Sequence, residues 1–209
     1  MERPFVFINV AATADGKIDT FERRGATISS ARDWERVDRL RADSDAIMIG
    51  GHTLHGDDPK LTVTSEALRS ERRRRGLPEN PMKVAVASRL ELRPECNFLN
   101  AGPARIMLFT TAQTPVADVA QLKAAGAEVR LLGDAKVDLP AALRVLSEQG
   151  VQRLMVEGGA TLNIEMLRLN LVDELTIFLA PLVFGGETAP TLAGGMGLPA
   201  EARIGLRLL

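Results

Sequence analysis

The stretch VADVAQLKAAGAEVRLLGDAKVDLPAALRVLSEQGVQRLMVEGGATLN, residues 116–163, decides the fold. It opens with a helix pattern from Val116 to Ala125 that stops at Gly126, the residue type that ends helices in a left-handed turn. The short apolar run Glu128 to Leu132 reads as a strand. A second helix follows, with Leu139, Leu143 and Leu146 on one face and Gly150 behind it. Arg153 to Val156 is a second strand, and beyond Gly158-Gly159 a third helix carries Leu162, Met166 and Leu169. Strands that alternate with helices of this length build an α/β domain with a largely parallel sheet.

The same alternation extends outward in both directions. Phe5 to Ala11, Ala46 to Ile49, Lys83 to Ala87 and Arg105 to Thr110 read as further strands, the last two joined by an irregular connection. Ser30 to Asp43 reads as a helix, opened by Ser30 with Asp33 at nearly the capping-box spacing. Ser65 to Arg75 is helical but mostly charged and is expected to be a solvated face. Glu174 to Ala180 and Ala202 to Leu208 are the last strand candidates. No linker, repeat or low-complexity segment divides the 209 residues, so a single domain over 1–209 is expected.

Composition excludes several classes. Lys and Arg number 26 against 27 Asp and Glu, and this balance argues against a nucleic-acid or anionic-membrane surface. One cysteine, Cys96, excludes an internal disulfide framework and a multi-cysteine metal site. His52 and His55 stand near Asp57 and Asp58, but no metal site is expected from them. The opening MERPFVFINVAATADGK is no signal peptide, and no apolar run approaches membrane-span length, so a soluble cytoplasmic protein is expected.

Ligands of open α/β sheets gather at the carboxyl ends of the strands. Three glycine-bearing segments stand there: IGGHTLHGDDPKLT at 49–62, EGGATLN at 157–163 and PLVFGGE at 181–187. The second sets Glu157 before two glycines and a helix start, where free N–H groups favour an anion. Neither GxGxxG nor GxxxxGK[ST] occurs, so a bound nucleotide would need another frame. On the helix from Ser30, Arg41 falls within the arc of Trp34, Val37 and Leu40. A ligand phosphate, a core carboxylate or a snorkelling conformation would each satisfy it. Asp15 and Lys17 lie in TADGK, which reads first as a surface turn, with a site carrying a lysine donor as the alternative.

FINVAATADGKI (7–18), LRADSDAIMIGGHTLHGDDPKLTV (40–63), NPMKVAVAS (80–88), LMVEGGATLN (154–163) and VDELTIFLAPLVFGG (172–186), in this order, resemble the pyrimidine reductases of riboflavin biosynthesis. The resemblance implies a dihydrofolate-reductase-like three-layer fold. It also implies NADPH-dependent hydride transfer to C1′ of a ribosylamino-pyrimidine 5′-phosphate, giving the ribitylamino form. It assigns cofactor binding to Thr53, Asp57, Ser88, Gly158, Gly159, Ala160, Thr161 and Leu162, and substrate contact to Lys17, Arg41, Leu61 and Glu157. Lys17 or Glu157 would handle the ring-oxygen proton, and Ser88-Arg89 suits a 2′-phosphate. A homodimer is implied as well.

Departures are equally specific. The family's basic residue at the end of DDPKLTV is Thr64 here, and its loop serine is Gly25. The chain stops at Leu209 where relatives continue through another strand. A single cysteine cannot build the zinc deaminase of bifunctional relatives, so a free-standing reductase acting on the diamino pyrimidinone before deamination is expected. A dihydrofolate- or pterin-reducing enzyme and a non-catalytic nucleotide-binding module are the competing readings.

Overall fold

The computed structural model describes residues 3–209. Strand β1 (Phe5–Thr13) leads through a long loop to α1 (Ala31–Ala42), β2 (Ala46–Gly50), α2 (Gly51–Asp57) and α3 (Glu66–Arg74). Then come β3 (Met82–Val86), α4 (Asn97–Asn100), β4 (Ile106–Thr110), α5 (Val116–Ala124) and β5 (Glu128–Leu131). The chain continues with α6 (Leu139–Glu148), β6 (Arg153–Val156), α7 (Ala160–Arg168) and β7 (Glu174–Ala180). The strands form one seven-stranded sheet in the order β5-β4-β3-β2-β6-β1-β7, and every pairing is parallel.

The uniform direction follows from the crossovers, because parallel neighbours need a helix-length connection and each helix then covers a sheet face. Leu139, Leu143 and Leu146 of α6 and Leu162 and Met166 of α7 bury one face against Ile8, Met48 and Val156. Val37 of α1, Phe98 of α4 and Leu122 of α5 bury the other against Phe7, Ile47 and Met155. Central strands β2, β3 and β4 are buried along their whole length, as double coverage requires. Among the described residues no helix is long and apolar enough to cross a membrane.

Three expectations change. The charged helix α3 is not simply a solvated face, since Arg72 is 2% exposed. Its guanidinium donates to the carbonyls of Ala42 and Ser44 at 2.7 Å each, and to that of Pro78 at 2.8 Å. The end of α1 leaves carbonyls without helical partners, and Arg72 supplies the donors. On α1 the inward stripe carries Asp33 in place of Trp34, which is 50% exposed. The segment from Ala202 to Leu208 forms no strand: Ala200–Ala202 is a single 3-10 turn and residues 203–209 lie exposed. Alternating Ile204, Leu206 and Leu208 suit a strand, but a strand exists only where a neighbouring edge completes its hydrogen bonds.

Lys83 is fully buried on β3, and its Nζ donates to the carbonyls of Phe98 and Ala101. Burial pushes its pKa down from 10.5 to about 8, against the smaller raising influence of Cys96 and Asp58. Between those values the unfolded chain binds the proton that the folded chain releases, so stability rises with pH across the window. Relative to Lys83→Met, the wild type should gain at most about 3 kcal/mol from pH 8 to 10.5. Urea unfolding of both proteins at the two pH values checks this, and parallel responses would refute it.

Candidate active site

Strand alternation aims Glu157 at the α1 face, beside Met155, just past the end of β6. There Arg41 Nε donates to Glu157 Oε1 at 2.7 Å and Arg41 Nη2 to Oε2 at 2.8 Å, while Nη1 reaches the Thr62 carbonyl at 3.2 Å. The side chains are 13% and 15% exposed. This two-bond fork fixes both planes. Burial opposes the Arg41 charge, and the Glu157 carboxylate outweighs it, so the guanidinium is held above its usual value. The inward position expected for Arg41 is thus observed, with a carboxylate as its partner.

Helix α1 also shapes the segment that passes this pair. Asp38 accepts from the N–H groups of Thr64 and Ser65 at 2.7 and 2.8 Å. Leu61, at φ +48°, is 1% exposed with its side chain in the core, so its backbone is what it can offer a ligand. Thr64 stands where a basic residue was expected, and Arg69 of α3 donates to the carbonyls of Val63 and Thr64 at 2.8 and 3.0 Å. A guanidinium therefore reaches this point from another element.

The glycine turn after Glu157 is stitched to β2. Glu157 N donates to the Met48 carbonyl at 3.0 Å, and Gly50 N to the Gly158 carbonyl at 2.7 Å. Gly158 has φ +92° and joins Gly159 through a cis peptide. A Cβ on Gly159 would lie 3.0 Å from Thr53 Oγ1, and one on Gly50 would lie 3.2 Å from Leu162 Cβ. Gly159 begins α7 without a side-chain cap, which leaves the first N–H groups, those of Ala160, Thr161 and Leu162, to serve an anion. Ser88 lies beyond β3, its carbonyl held by the hydroxyls of Thr110 at 3.2 Å and Thr111 at 2.8 Å. Arg89 next to it is 59% exposed and 3.7 Å from Glu91. Because β3, β2, β6 and β1 are neighbours, Ser88, Thr53, the glycine turn and the end of β1 share one sheet edge.

Lys17 arrives from the turn after β1, and its Nζ donates to the Ala189 carbonyl at 3.2 Å. The backbone around it is tied to the same segment, a strap formed by residues 189–194, with Ile18 N bonded to the Pro190 carbonyl at 2.9 Å. The strap then reaches α7, since Gly194 N donates to the Ala160 carbonyl at 3.1 Å and Asn163 Nδ2 to that of Leu192 at 2.9 Å. Asp15 holds the preceding glycine segment, accepting from Phe184 N at 3.3 Å and Gly185 N at 2.7 Å. Lys17 and the start of α7 are therefore joined through residues 189–194.

The adjacent acids Asp57 and Asp58 divide their work. Asp58 accepts from Asn97 N, Asn97 Nδ2 and Phe98 N at 2.9, 3.0 and 3.0 Å, anchoring α4. Asp57 faces the loop before α1, where a Cβ on Gly25 would meet its Oδ1 at 3.2 Å. Desolvation, with a smaller push from Asp19, raises its carboxyl above the usual range. Sequence reasoning passed over Asn9, gave Asp33 only a capping position and set Arg36 outside the inward arc of α1. Arg36 Nη2 donates to Asn9 Oδ1 at 2.8 Å, and Arg36 Nε donates to Asp33 Oδ1 at 2.9 Å. The available signal was a polar Asn9 inside the otherwise apolar run of β1.

The residues fit a dinucleotide: glycines where a Cβ would crowd, an uncapped helix start, and the Thr53 hydroxyl over the turn. The chain is 43% identical to the 2,5-diamino-6-ribosylamino-4(3H)-pyrimidinone 5′-phosphate reductase of Archaeoglobus fulgidus, over 97% of this chain and 91% of that one. It is 40% identical to the reductase of the same name from Methanothermobacter thermautotrophicus, over 96% and 88%. In structure it resembles Acinetobacter baumannii RibD with a TM-score of 0.80 at 22% identity, covering all of this chain and 55% of that one. A pyrimidine reductase-like protein from Corynebacterium diphtheriae superposes with a TM-score of 0.79 at 18% identity, over 92% and 80%. These likenesses support the expected dihydrofolate-reductase-like layering. The family model described as the RibD C-terminal domain matches residues 4–209, and the chain belongs to that family.

Proposed function

We propose that this protein is the riboflavin-pathway reductase that converts the ribosylamino side chain of a 2,5-diamino-pyrimidinone 5′-phosphate to ribitylamino, with NADPH as reductant. The observation that carries the reading is contiguity: the clamped carboxylate Glu157 runs directly into the uncapped glycine turn Gly158-Gly159. A substrate held at the first would meet a cofactor held at the second. The relatives at 43% and 40% identity bear the name of this reaction.

Thr53, Asp57, Ser88, Gly158, Gly159, Ala160, Thr161 and Leu162 would hold the dinucleotide, whose reduced nicotinamide supplies a hydride when bound. Arg41 and Leu61 line the substrate side with Glu157. Opening the ribose breaks the C1′–O bond and forms the C1′=N bond from the nitrogen lone pair, giving the N-protonated imine while the ring oxygen takes up one proton. Lys17 Nζ, with donors to spare beyond its bond to Ala189, supplies that proton. Glu157 has both oxygens occupied as acceptors, and it stabilises the positive character at C1′. Hydride delivered to C1′ of this protonated imine, whose nitrogen already carries its hydrogen, would give the neutral ribitylamino side chain with no further proton.

NADPH consumption with the diamino substrate, beside its deaminated uracil counterpart and dihydrofolate, tests the reading. Turnover of the diamino compound with the highest kcat/KM is expected. No turnover of either pyrimidine, or turnover of dihydrofolate alone, would end it. Repeating the assay with NADH checks the cofactor, for which NADPH should give the higher kcat/KM.

We also propose a homodimer through the outer edge of β7. Among the described residues that strand pairs only with β1, and Ile177 and Leu179 beside the edge are 47% and 65% exposed. An open apolar edge favours a second strand. Light scattering should give about twice the 22.6 kDa chain mass, and Leu179→Lys should lower it; a monomeric wild type refutes the interface.

A further inference from the structure

The buried face of α1 carries a carboxylate that the reaction scheme leaves idle. Asp33 is 3% exposed. Its Oδ1 accepts from Arg36 Nε at 2.9 Å and lies 2.8 Å from Arg36 Nη2, and Nη2 is itself held by Asn9 Oδ1 at 2.8 Å. Asp33 Oδ2 is buried and meets no hydrogen-bond donor among the described residues. The capping box expected from Ser30 and Asp33 forms only by half. Ser30 Oγ accepts from Asp33 N at 3.2 Å, while the Asp33 carboxylate turns to Arg36. A carboxylate oxygen stripped of water without a donor is costly, and this one lacks a donor that the described residues do not supply.

Register places this oxygen beside the site. Ile8 pairs with Val156, so Asn9 and Glu157 stand level on adjacent strands, about 4.8 Å apart, and alternation puts both on the α1 face. Helix α1 meets them with two guanidiniums, Arg36 on Asn9 and Arg41 on Glu157. Since α1 leads into the start of β2, which is parallel to its sheet neighbours, the first turn of α1 lies at the carboxyl edge, and Asp33 is in that turn.

We infer that Asp33 recognises the amino-bearing edge of the pyrimidine ring, Oδ2 accepting from the 2-amino group, and so selects the diamino pyrimidinone over its uracil counterpart. This rests on the reductase reading above. The diamino ring offers two adjacent donors, N3–H and the 2-amino group, whereas the deaminated ring sets a carbonyl where the amino group stood. A carbonyl there would face the carboxylate with two acceptors and no proton between them, which rejects the wrong ring as much as it attracts the right one. Arg36, locked by Asn9, occupies Oδ1 and leaves Oδ2 to make the distinction.

The test compares the diamino substrate, the analogue with hydrogen in place of the 2-amino group, and the uracil counterpart. In the wild type, kcat/KM for the hydrogen analogue should fall by at least about 100-fold, because sites built around a substrate donor reject analogues lacking it. Asp33→Asn, whose amide can donate to a carbonyl, should narrow the diamino preference over uracil to less than about tenfold. Wild-type turnover of the hydrogen analogue at near the diamino rate would overturn the role of Asp33 while leaving the reductase reading intact. An equal loss on every substrate in Asp33→Asn would likewise show a merely structural residue. If Asp33→Asn does not fold, the wild-type comparison decides alone. Wild-type failure on all three compounds would instead refute the reductase reading, and this inference with it.

Discussion

Glu157→Gln is expected to lower kcat/KM by at least about 100-fold, and Lys17→Ala by a similar factor expressed mainly in kcat. The substitution at Glu157 keeps the shape but removes the charge that Arg41 clamps at 2.7 and 2.8 Å. It thereby leaves a buried guanidinium with a neutral partner, a change far larger than losing a surface pair. Lys17 is tied to Ala189 in the strap, so its truncation removes a positioned proton donor without opening the core. NADPH binding, read by fluorescence titration, should survive in both variants because neither residue forms the glycine turn. In Arg41→Met the loss should be comparable, and the Glu157→Gln, Arg41→Met double variant should fall well short of the product of the two losses, as for partners acting as one unit. Near-wild-type turnover by both Glu157→Gln and Lys17→Ala would remove them from the chemistry.

Arg72→Ala is expected to destabilise the fold by about 3 to 5 kcal/mol, the range for breaking a buried charged hydrogen-bond cluster. The carbonyls of Ala42, Ser44 and Pro78 would lose their common donor, and α3 would lose its anchor on the end of α1. For a chain of this size the melting temperature should drop by roughly 10 °C. Arg73→Ala, one position along on the exposed side of the same helix, should leave the urea midpoint close to that of the wild type, because its pairs with Glu66 and Glu79 are solvent-screened. Urea unfolding of the two variants separates these outcomes. Similar small losses in both would show that water replaces Arg72 without penalty.

The two arginines are one position apart in a run of four, and nothing in their local pattern distinguishes them. The same holds for Asp57 and Asp58: one faces the loop before α1, and its neighbour anchors a helix about forty residues further on. On α1 the helical period placed Arg41 inward correctly but gave that side to Trp34 as well, whereas the structure gives it to Asp33. A tryptophan at the margin of an amphipathic stripe can lie on either side, and the choice follows from what the neighbouring strand presents. Here β1 presents Asn9, and a polar pair with Arg36 takes the space.

What the sequence determined by itself is what local periodicity and chain chemistry encode. The alternation of 116–163 set a parallel α/β sheet, and the glycines of EGGATLN marked a helix start open to an anion. The motif order carried the family. Tertiary structure alone decided partnership: Glu157 for Arg41 across 116 residues, the carbonyls around α1 for Arg72, and Asp33 with an oxygen left unmet. It also decided that 203–209 finds no strand to pair with among the described residues. The reason is physical. Periodicity is a property of one segment, whereas the cost of burying a charge or an unpaired strand depends on which distant groups the fold brings within hydrogen-bond reach.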